Sequence, residues 1–283
     1  MSLPSWTYAP RLLPMFRAGG ALHDMRFTLL DVGASGGIDD FFRQFAPQLR
    51  AVGFDPLVSE VRRLNAEEED DGVTYEDYWV GSGRSDSEPD TSMDGSSYYG
   101  ISSSQLAQDA VREDFIKEHF NSGAEVVLSD RETSLDAWCL SSGIGHVDIV
   151  KVDTDGHDYH VIVGMHDLLS GENRPLALIT EAQFQERTTG QKDVFGEIDC
   201  ALRNVGYRLV DIDIRRHSRS DLPQPFCYDI FAQTTRGAVG WCDALYMPDP
   251  VLDEAVFDEI SRTRGAEGFV KLLVLYDMFG LED

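Results

Sequence analysis

The stretch that decides the fold is Leu29-Leu30-Asp31-Val32-Gly33-Ala34-Ser35-Gly36-Gly37. It begins as a short apolar strand, runs into a glycine-rich turn, and is followed by a helical segment. Glycine adopts positive φ angles at little cost and lets the backbone come close to a ligand. A helix after such a turn points unpaired N–H groups at whatever occupies the turn. An ordinary strand-to-helix turn is also compatible with this stretch, so the rest of the chain has to decide.

Apolar strands and helical segments alternate along the chain after this stretch. Several of the strands are predicted to end at an acid, namely at Asp31, Asp55, Asp153 and Glu181. Such alternation predicts an α/β fold of Rossmann-like type, a mostly parallel sheet with helices on both faces. Ligands of these sheets bind beyond the carboxyl ends of the strands, where the acids lie.

The predicted elements divide the chain as follows. Strands are predicted at 26–32, 50–55, 73–80, 124–128, 147–152, 176–181, 207–214 and 228–234. Helices are predicted at 38–49, 57–68, 104–120, 134–142, 157–169, 194–205, 251–263 and 267–279. We expect residues 1–25 to form an irregular arm or cap and 26–234 the main domain, with an excursion at 84–122 that covers the site. Residues 235–283 are expected to form a C-terminal helical extension packed on that domain.

Composition limits the classes of partner. The 283 residues include 50 acidic and 24 basic side chains, a net charge of −26. A surface of this charge repels phosphate backbones, so we expect no nucleic-acid partner and no affinity for anionic membranes. The chain shows no apolar run long enough to span a bilayer and no secretory signal, which predicts a cytoplasmic protein. The four cysteines lack metal-site spacing and are expected to be free thiols.

The glycine turn departs from the dinucleotide-binding fingerprint. A G-x-G-x-x-G pattern that starts at Gly33 requires glycine at positions 35 and 38, where the chain has Ser35 and Ile38. The turn therefore suits a ligand without phosphates better than a pyrophosphate. Asp55 ends the next strand, where a carboxylate can accept both hydroxyls of a ribose. Asp55 is also compatible with a helix-capping role before Pro56.

Four blocks in this order resemble the FkbM family of S-adenosylmethionine-dependent methyltransferases. They are Asp31–Gly37, Gly53-Phe54-Asp55-Pro56, Thr133-Ser134-Leu135-Asp136, and Val150–Gly156 followed by Val163-Gly164. The family pattern has a D-V-G-A-N-x-G turn, an acid closing the second strand, a T-T-L-D block and a K-I-D-x-E-G-x-E block before a helix ending in L-x-G. The blocks cover about residues 28–214. The chain departs from the pattern at Ser35, Asp155, His157 and Asp158. These departures leave the identity of the acceptor less determined than that of the cofactor.

The resemblance implies a seven-stranded methyltransferase fold that binds S-adenosylmethionine. It places Gly33, Ala34, Ser35 and Gly37 around the methionine end of the cofactor, with Asp31 in the same block, and Asp55 on the ribose. Tyr78, Trp79, Val80 and Gly81, at the end of the third strand, would lie near the adenine. Asp153 would form the floor of the site, close to the transferred methyl group.

A hydroxyl acceptor needs a base for its proton. His157 titrates near neutral pH, and Asp153 or Asp155 could act if partly desolvated. His157 is also compatible with a surface residue on the first turn of a helix. These three residues form the predicted catalytic set.

Two further interpretations of the same block are possible. Asp153, Asp155, His157 and Glu181 could cluster around a divalent metal that orients acceptor hydroxyls, an option we do not favour. Asp153-Thr154-Asp155-Gly156 also resembles the D-x-D-G motif of haloacid-dehalogenase-type phosphatases. That class usually carries the motif near the N-terminus, with a lysine and an acidic pair downstream.

The sequence therefore predicts an O-methyltransferase that acts on a hydroxyl of a sugar, glycan or polyketide-like metabolite. Its acceptor would be a small molecule or glycan. The alternative from another class is a non-catalytic cofactor-binding or interaction protein with the same fold.

Overall fold

The computed structural model of the chain describes residues 10–83, 128–154, 156–184, 193–217 and 236–281. A seven-stranded sheet contains β1 (Phe27–Val32), β2 (Leu49–Phe54), β3 (Val73–Glu76), β6 (Ile149–Val152), β7 (Ala177–Gln183), β8 (Arg208–His217) and β9 (Ala238–Met247). A two-stranded sheet contains β4 (Trp79–Val80) and β5 (Glu132–Thr133). The helices are α1 (Leu12–Ala18), α2 (Asp40–Arg43), α3 (Val58–Glu67), α4 (Leu135–Ser142), α5 (Asp158–Val163), α6 (His166–Ser170), α7 (Phe195–Asn204), α8 (Glu254–Thr263) and α9 (Gly265–Met278).

The order of the strands is β3-β2-β1-β6-β7-β9-β8. Neighbouring strands are parallel except β9, which runs antiparallel to both β7 and β8. From β1 the chain builds the sheet outward on one side through β2 and β3. It then continues with β6 on the other side of β1, so the strand order reverses between β1 and β6. Ligands of open α/β sheets bind at such a switch point. The predicted fold class, a mostly parallel sheet of the seven-stranded methyltransferase type, is confirmed.

Apolar side chains bury both faces of the sheet, as strands with near-continuous apolar sequence require. One face packs Phe27, Phe42 and Phe45 together with α8 and α9. The other face packs Val32 and Val152 against α4, α5 and α7. Phe41, Phe42 and Phe45, which follow the glycine turn, are all buried.

The first predicted helix, 38–49, is too long. Only Asp40–Arg43 is helical, and β2 already begins at Leu49. Pro47 explains the difference, because proline lacks the N–H that a helix needs and disfavours helical geometry at the preceding residue.

Two other predicted elements are each divided in the structure. The strand predicted at 73–80 splits into β3, in the main sheet, and β4, which pairs with β5. The helix predicted at 157–169 splits into α5 and α6 at Gly164. The Asp136 carboxylate accepts hydrogen bonds from Asp167 N (2.9 Å) and Leu168 N (2.8 Å), and so caps the start of α6.

Both ends of the chain contain more structure than the sequence indicated. Residues 12–18 form α1 where an irregular arm was expected, and Leu13 is buried in the core. Residues 238–247 form β9 inside the sheet, so the sheet includes residues assigned to the C-terminal extension. The two helices predicted after them are present as α8 and α9. The predicted strand 228–234, residues 124–127 of another predicted strand and the excursion 84–122 lie outside the described residues.

Candidate active site

The glycine turn after β1 lies directly against the end of β6. Gly33, Gly36 and Gly37 have φ angles of +86°, +85° and +95°. A Cβ on Gly33 would overlap the carbonyl oxygen of Asp153. The predicted cofactor turn and Asp153 therefore meet through their backbones at the switch point of the sheet.

Lys151, with a side chain that is 11% exposed, joins the two strands at this junction. Lys151 Nζ lies 3.2 Å from Asp31 Oδ1 and 3.3 Å from Asp153 Oδ2. Burial opposes the charge of Lys151, but the two carboxylates outweigh it and raise its pKa. Burial raises the pKa of Asp31, and Lys151 acts against that shift. The ammonium group of Lys151 thus bridges the carboxylates of Asp31 and Asp153.

Asp55 lies beside the turn at the end of β2. The N–H groups of Gly33 and Ala34 both donate to the carbonyl oxygen of Phe54, at 2.9 and 3.0 Å. The Asp55 side chain is 3% exposed, and its Oδ1 accepts a hydrogen bond from Leu57 N at 2.7 Å. This bond closes a short turn between β2 and α3, and it is not a helix cap, because α3 begins at Val58 with Leu57 at its N-cap position and no side chain bonded there. It also fixes the carboxylate next to the turn, where the predicted ribose contact requires it.

A second carboxylate closes the turn from α3. Glu60 Oε1 accepts a hydrogen bond from Gly36 N at 3.0 Å. The hydrogen bond from Arg63, opposed by partial burial and assisted by the Gly36 amide, lowers the pKa of Glu60. Arg63 Nη2 also lies 2.6 Å from Glu60 Oε1, so the carboxylate that closes the turn is held in an ion pair.

The predicted adenine segment is held by β5 and α5. Trp79 Nε1 donates to the carbonyl oxygen of Ser129 at 3.0 Å, and β4 pairs with β5. A Cβ on Gly164 would overlap the carbonyl oxygen of Gly81. Glycine is therefore required at the end of α5 for the segment to pack there. The contact of Trp79, Val80 and Gly81 with adenine stays a prediction.

The loop after β6 is organised by a buried acid. Asp158 accepts hydrogen bonds from Thr154 Oγ1 at 3.2 Å and from Gly156 N at 3.3 Å. Burial, followed by the charge of Asp193, raises the pKa of Asp158. This residue therefore shapes the loop that follows Asp153. Asp155, one of the predicted catalytic residues, lies outside the described residues.

His157 stands at the start of α5 and is half-buried. Its ring centroid lies 6.2 Å from that of His160. His160 Nε2 in turn lies 3.9 Å from Asp193 Oδ2. The structure thus puts His157 at the end of the loop that begins at Asp153, and its role as a base stays a prediction.

A separate groove of about 500 Å³ lies between α4 and the edge of the sheet formed by β2 and β3. Its walls include Arg50, Thr74, Glu76 and Trp138, and they include no residue of the glycine turn or of the Asp153 loop. The residues present at the switch point, and not the size of this groove, identify the candidate site.

A comparison with family models supplies the decisive finding. The model described as "Methyltransferase FkbM domain" matches residues 31–209, most of the chain. This chain belongs to the FkbM methyltransferase family. Its membership confirms the predicted family, the methyltransferase class of activity and S-adenosylmethionine as cofactor. The matched region begins at Asp31 and contains the turn, Asp55 and Asp153.

Solved structures with similar folds include other methyltransferases. EvdMO1 is 13% identical, with a TM-score of 0.33, and the match covers 88% of this chain and 43% of that chain. Magnesium protoporphyrin IX methyltransferase (ChlM) from Synechocystis PCC 6803, with bound SAH, is 11% identical, with a TM-score of 0.37 and coverage of 84% and 80%. A Haloferax volcanii complex of the Trm112 methyltransferase activator with a methyltransferase is 14% identical, with a TM-score of 0.38 and coverage of 82% and 88%. The FkbM methyltransferase thus spans less than half of the EvdMO1 chain. None of the curated proteins matches it.

The residues at the switch point of this FkbM methyltransferase fit S-adenosylmethionine, which is cationic at its methionine end and has no phosphate. Glu60 and Asp31 place carboxylates around the turn, and Asp55 supplies an acceptor at the next strand end. A Cβ at Gly36 would have no atom within 4 Å, so the turn is open on that side.

Two residues of the site, Lys151 and Glu60, were not predicted from the sequence. Lys151 interrupts an apolar strand between Val150 and Val152, and a lysine inside such a strand is buried only when it is paired. That signal was available in the sequence. Glu60 gives no comparable signal, because its role depends on how α3 packs against the turn.

Among the residues that the structure describes, no three or more His, Cys, Asp and Glu side chains are arranged to hold a metal ion. No helix in the same ranges is both long and apolar enough to cross a bilayer.

Proposed function

We propose that this FkbM methyltransferase methylates a hydroxyl oxygen of a sugar, glycan or polyketide-like metabolite. The cofactor would lie between the glycine turn and Asp55, and the acceptor would approach over Asp153. The observation that carries the proposal is the junction of β1 and β6. There Gly33 touches the backbone of Asp153, and Lys151 ties the carboxylate of Asp153 to Asp31.

Bound S-adenosylmethionine supplies an electrophilic methyl group on a sulfonium. Methyl transfer to oxygen is an in-line displacement, so the main tasks of the protein are alignment and removal of the hydroxyl proton. Asp153 is the proposed base, and it takes that proton as the C–O bond forms and the S–C bond breaks. Lys151 positions this carboxylate from 3.3 Å. His157 and Asp155 are the other predicted bases.

Two substitutions separate binding from chemistry. Asp55→Asn should weaken S-adenosylmethionine binding, measured by calorimetry, because it removes the charged acceptor for the ribose. Asp153→Asn should leave that affinity within about twofold and lower turnover by about 10²–10⁴-fold, the usual contribution of a general base. Asp167→Asn, on a side chain that is 91% exposed, is the matched control.

Transfer from labelled S-adenosylmethionine to a panel of glycosides and polyketides reports the activity, and mass spectrometry with NMR locates the methyl group. A methyl group on nitrogen or carbon would refute the O-methylation. Unchanged turnover in Asp153→Asn would remove this residue as the base, and His157→Ala then tests the next candidate. Cofactor binding without transfer to any hydroxyl compound in the panel would favour the non-catalytic alternative.

A further inference from the structure

Three carboxylates form a row across neighbouring strands on one face of the sheet. Glu181 of β7 stands directly opposite Asp243 of β9, which stands directly opposite Asp213 of β8. Directly opposite residues of antiparallel strands point to the same face, with their Cβ atoms about 4.5–5.5 Å apart. We call Glu181, Asp243 and Asp213 the acid row. Asp153 ends the neighbouring strand β6, so the row starts where the proposed acceptor side of the site starts.

Asp213 and Asp243 of the acid row share one arginine. Arg215 lies 3.3 Å from Asp213 Oδ2 and 3.5 Å from Asp243 Oδ2, so its single charge is shared between two carboxylates. Lys151, on the next strand, is already shared between Asp31 and Asp153. Like charges directly opposite one another destabilise a sheet. A bound cation would relieve this repulsion.

The row is within reach of a ligand. The side chains of Asp213 and Asp243 are 21% and 20% exposed, in contrast to the fully buried core below them. Burial, followed by the charge of Asp153, raises the pKa of Asp243 to about 7, although Arg215 acts against that shift. Burial and the negative charge of Asp153 thus both act against ionisation of Asp243.

Gln183 is the second, independent observation. It lies two residues after Glu181 on the same face of β7, and the residue is only 6% exposed. Its Oε1 is buried and accepts no hydrogen bond from any residue that the structure describes. A buried carbonyl oxygen without a donor is costly, and a ligand that supplies a donor there removes the cost.

We propose that the acid row and Gln183 bind a protonated amine of the acceptor, so that the methylated compound is an amino sugar or a similar amino polyol. This proposal rests on the proposed function and names the substrate class of the same site. An ammonium group has three hydrogen-bond donors and no acceptor, which matches a surface of carboxylate and amide oxygens. A neutral sugar could donate hydrogen bonds to the row but would bring no positive charge to it. An acidic sugar would add to the repulsion.

Three pyranoses that differ in charge test the proposal directly. D-glucosamine, D-glucose and D-glucuronate are titrated into the full chain loaded with S-adenosylhomocysteine, at a pH where the amine is protonated and with EDTA present. We expect glucosamine to bind at least tenfold more tightly than glucose, and glucuronate to bind most weakly. Asp243→Asn and Asp213→Asn should each reduce the advantage of glucosamine over glucose to threefold or less. Two variants are used so that a folding defect in one of them does not decide the result.

The matched control is Asp24→Asn, which removes one charge from a side chain that is 96% exposed. It should leave the advantage of glucosamine unchanged. An equal affinity for glucosamine and glucose, or no saturable binding of any of the three, would overturn the proposal. So would an advantage that survives in both row variants, because it would then come from the general acidity of the surface.

Two more titrations separate this proposal from the proposed function. S-adenosylhomocysteine alone is titrated into the chain, and the three sugars are titrated again without it. If the cofactor product fails to bind while glucosamine keeps its advantage, the proposed cofactor site is wrong and the acid row stands. If the cofactor product binds and glucosamine has no advantage, the amino acceptor is wrong and the methyltransferase site stands.

Discussion

Gly33 and Gly36 offer a matched test of the backbone contact at the switch point. Their φ angles are +86° and +85°, so alanine is strained to a similar degree at both. They differ in space, because a Cβ on Gly33 overlaps the carbonyl oxygen of Asp153 and a Cβ on Gly36 has no atom within 4 Å. The difference between the two alanine variants therefore isolates the close approach of the turn to β6.

The expected magnitudes follow from these two terms. Alanine in a left-handed conformation costs about 1–2 kcal/mol, which both variants share. Overpacking against backbone that has to move adds about 1–3 kcal/mol at Gly33 alone. The entropy that alanine removes from the unfolded chain is similar in both variants and cancels in the comparison.

Urea unfolding measures the loss of stability in each variant, and calorimetric titration with S-adenosylmethionine measures the loss of cofactor affinity. We expect Gly36→Ala to lower the free energy of unfolding by about 1–2 kcal/mol and Gly33→Ala to lower it by about 2–5 kcal/mol. Gly33→Ala should also weaken cofactor binding more than Gly36→Ala, because it moves the turn away from Asp153. Equal losses of stability and affinity in the two variants would refute the argument that the turn and Asp153 form one unit.

Three further predictions concern charges. Asp148→Asn should lower the free energy of unfolding by about 3–5 kcal/mol in urea, because it removes the carboxylate that lies 2.6 Å from the Arg264 guanidinium and 2.9 Å from Lys271 Nζ; a loss below 1 kcal/mol would contradict this. Glu60→Gln should weaken S-adenosylmethionine binding by about tenfold, roughly 1.4 kcal/mol, whereas Glu67→Gln, at a side chain 63% exposed, should not. The pKa of Asp243 is raised from 3.8 to about 7, mainly by burial and then by Asp153, so the folded chain binds this proton more tightly than the unfolded chain. As the pH rises from about 4 to about 7, the stability that Asp243 contributes is therefore lost, by up to about 1.4 kcal/mol per pH unit. Asp243→Asn should show a smaller loss of stability over this range in urea titrations. Parallel slopes of stability against pH would refute the shift.

The titration of Asp243 depends on all the charged groups that face it. Glu181 of β7, Asp213 and Arg215 of β8, and Lys151 with Asp153 of β6 contribute to its surroundings. Of these, Asp153 and Asp213 raise the pKa of Asp243, and Arg215 and Lys151 lower it. A variant such as Arg215→Met should therefore raise the pKa of Asp243 further, and the slope should then extend to higher pH.

Local pattern predicted the strands that form the switch point. β1, β2, β6 and β7 are short apolar runs with an acid at or near the carboxyl end, and a parallel strand that is buried on both faces needs an apolar run whatever its neighbours are. The ordered blocks around these strands predicted the family, and the family match confirmed it.

The rest depends on contacts between distant parts of the chain. β9 includes Asp243 and Trp241 within its apolar run, and only its pairing with β7 and β8 shows that it is part of the sheet. The opposition of Asp243 to Glu181 follows from that pairing, so the acid row could not be predicted from spacing. The Thr133–Asp136 block gave a family signal without a mechanism, and the structure shows that Asp136 caps α6.

We propose that the cofactor lies at the β1–β6 junction, between the glycine turn and Asp55, and faces Asp153. A crystal structure of the complex with S-adenosylhomocysteine would show this position. We expect density for the ligand along residues 33–37, with its ribose on the Asp55 carboxylate and its sulfur directed toward Asp153. Density in the groove beside Trp138, or a ribose without contact to Asp55, would contradict it.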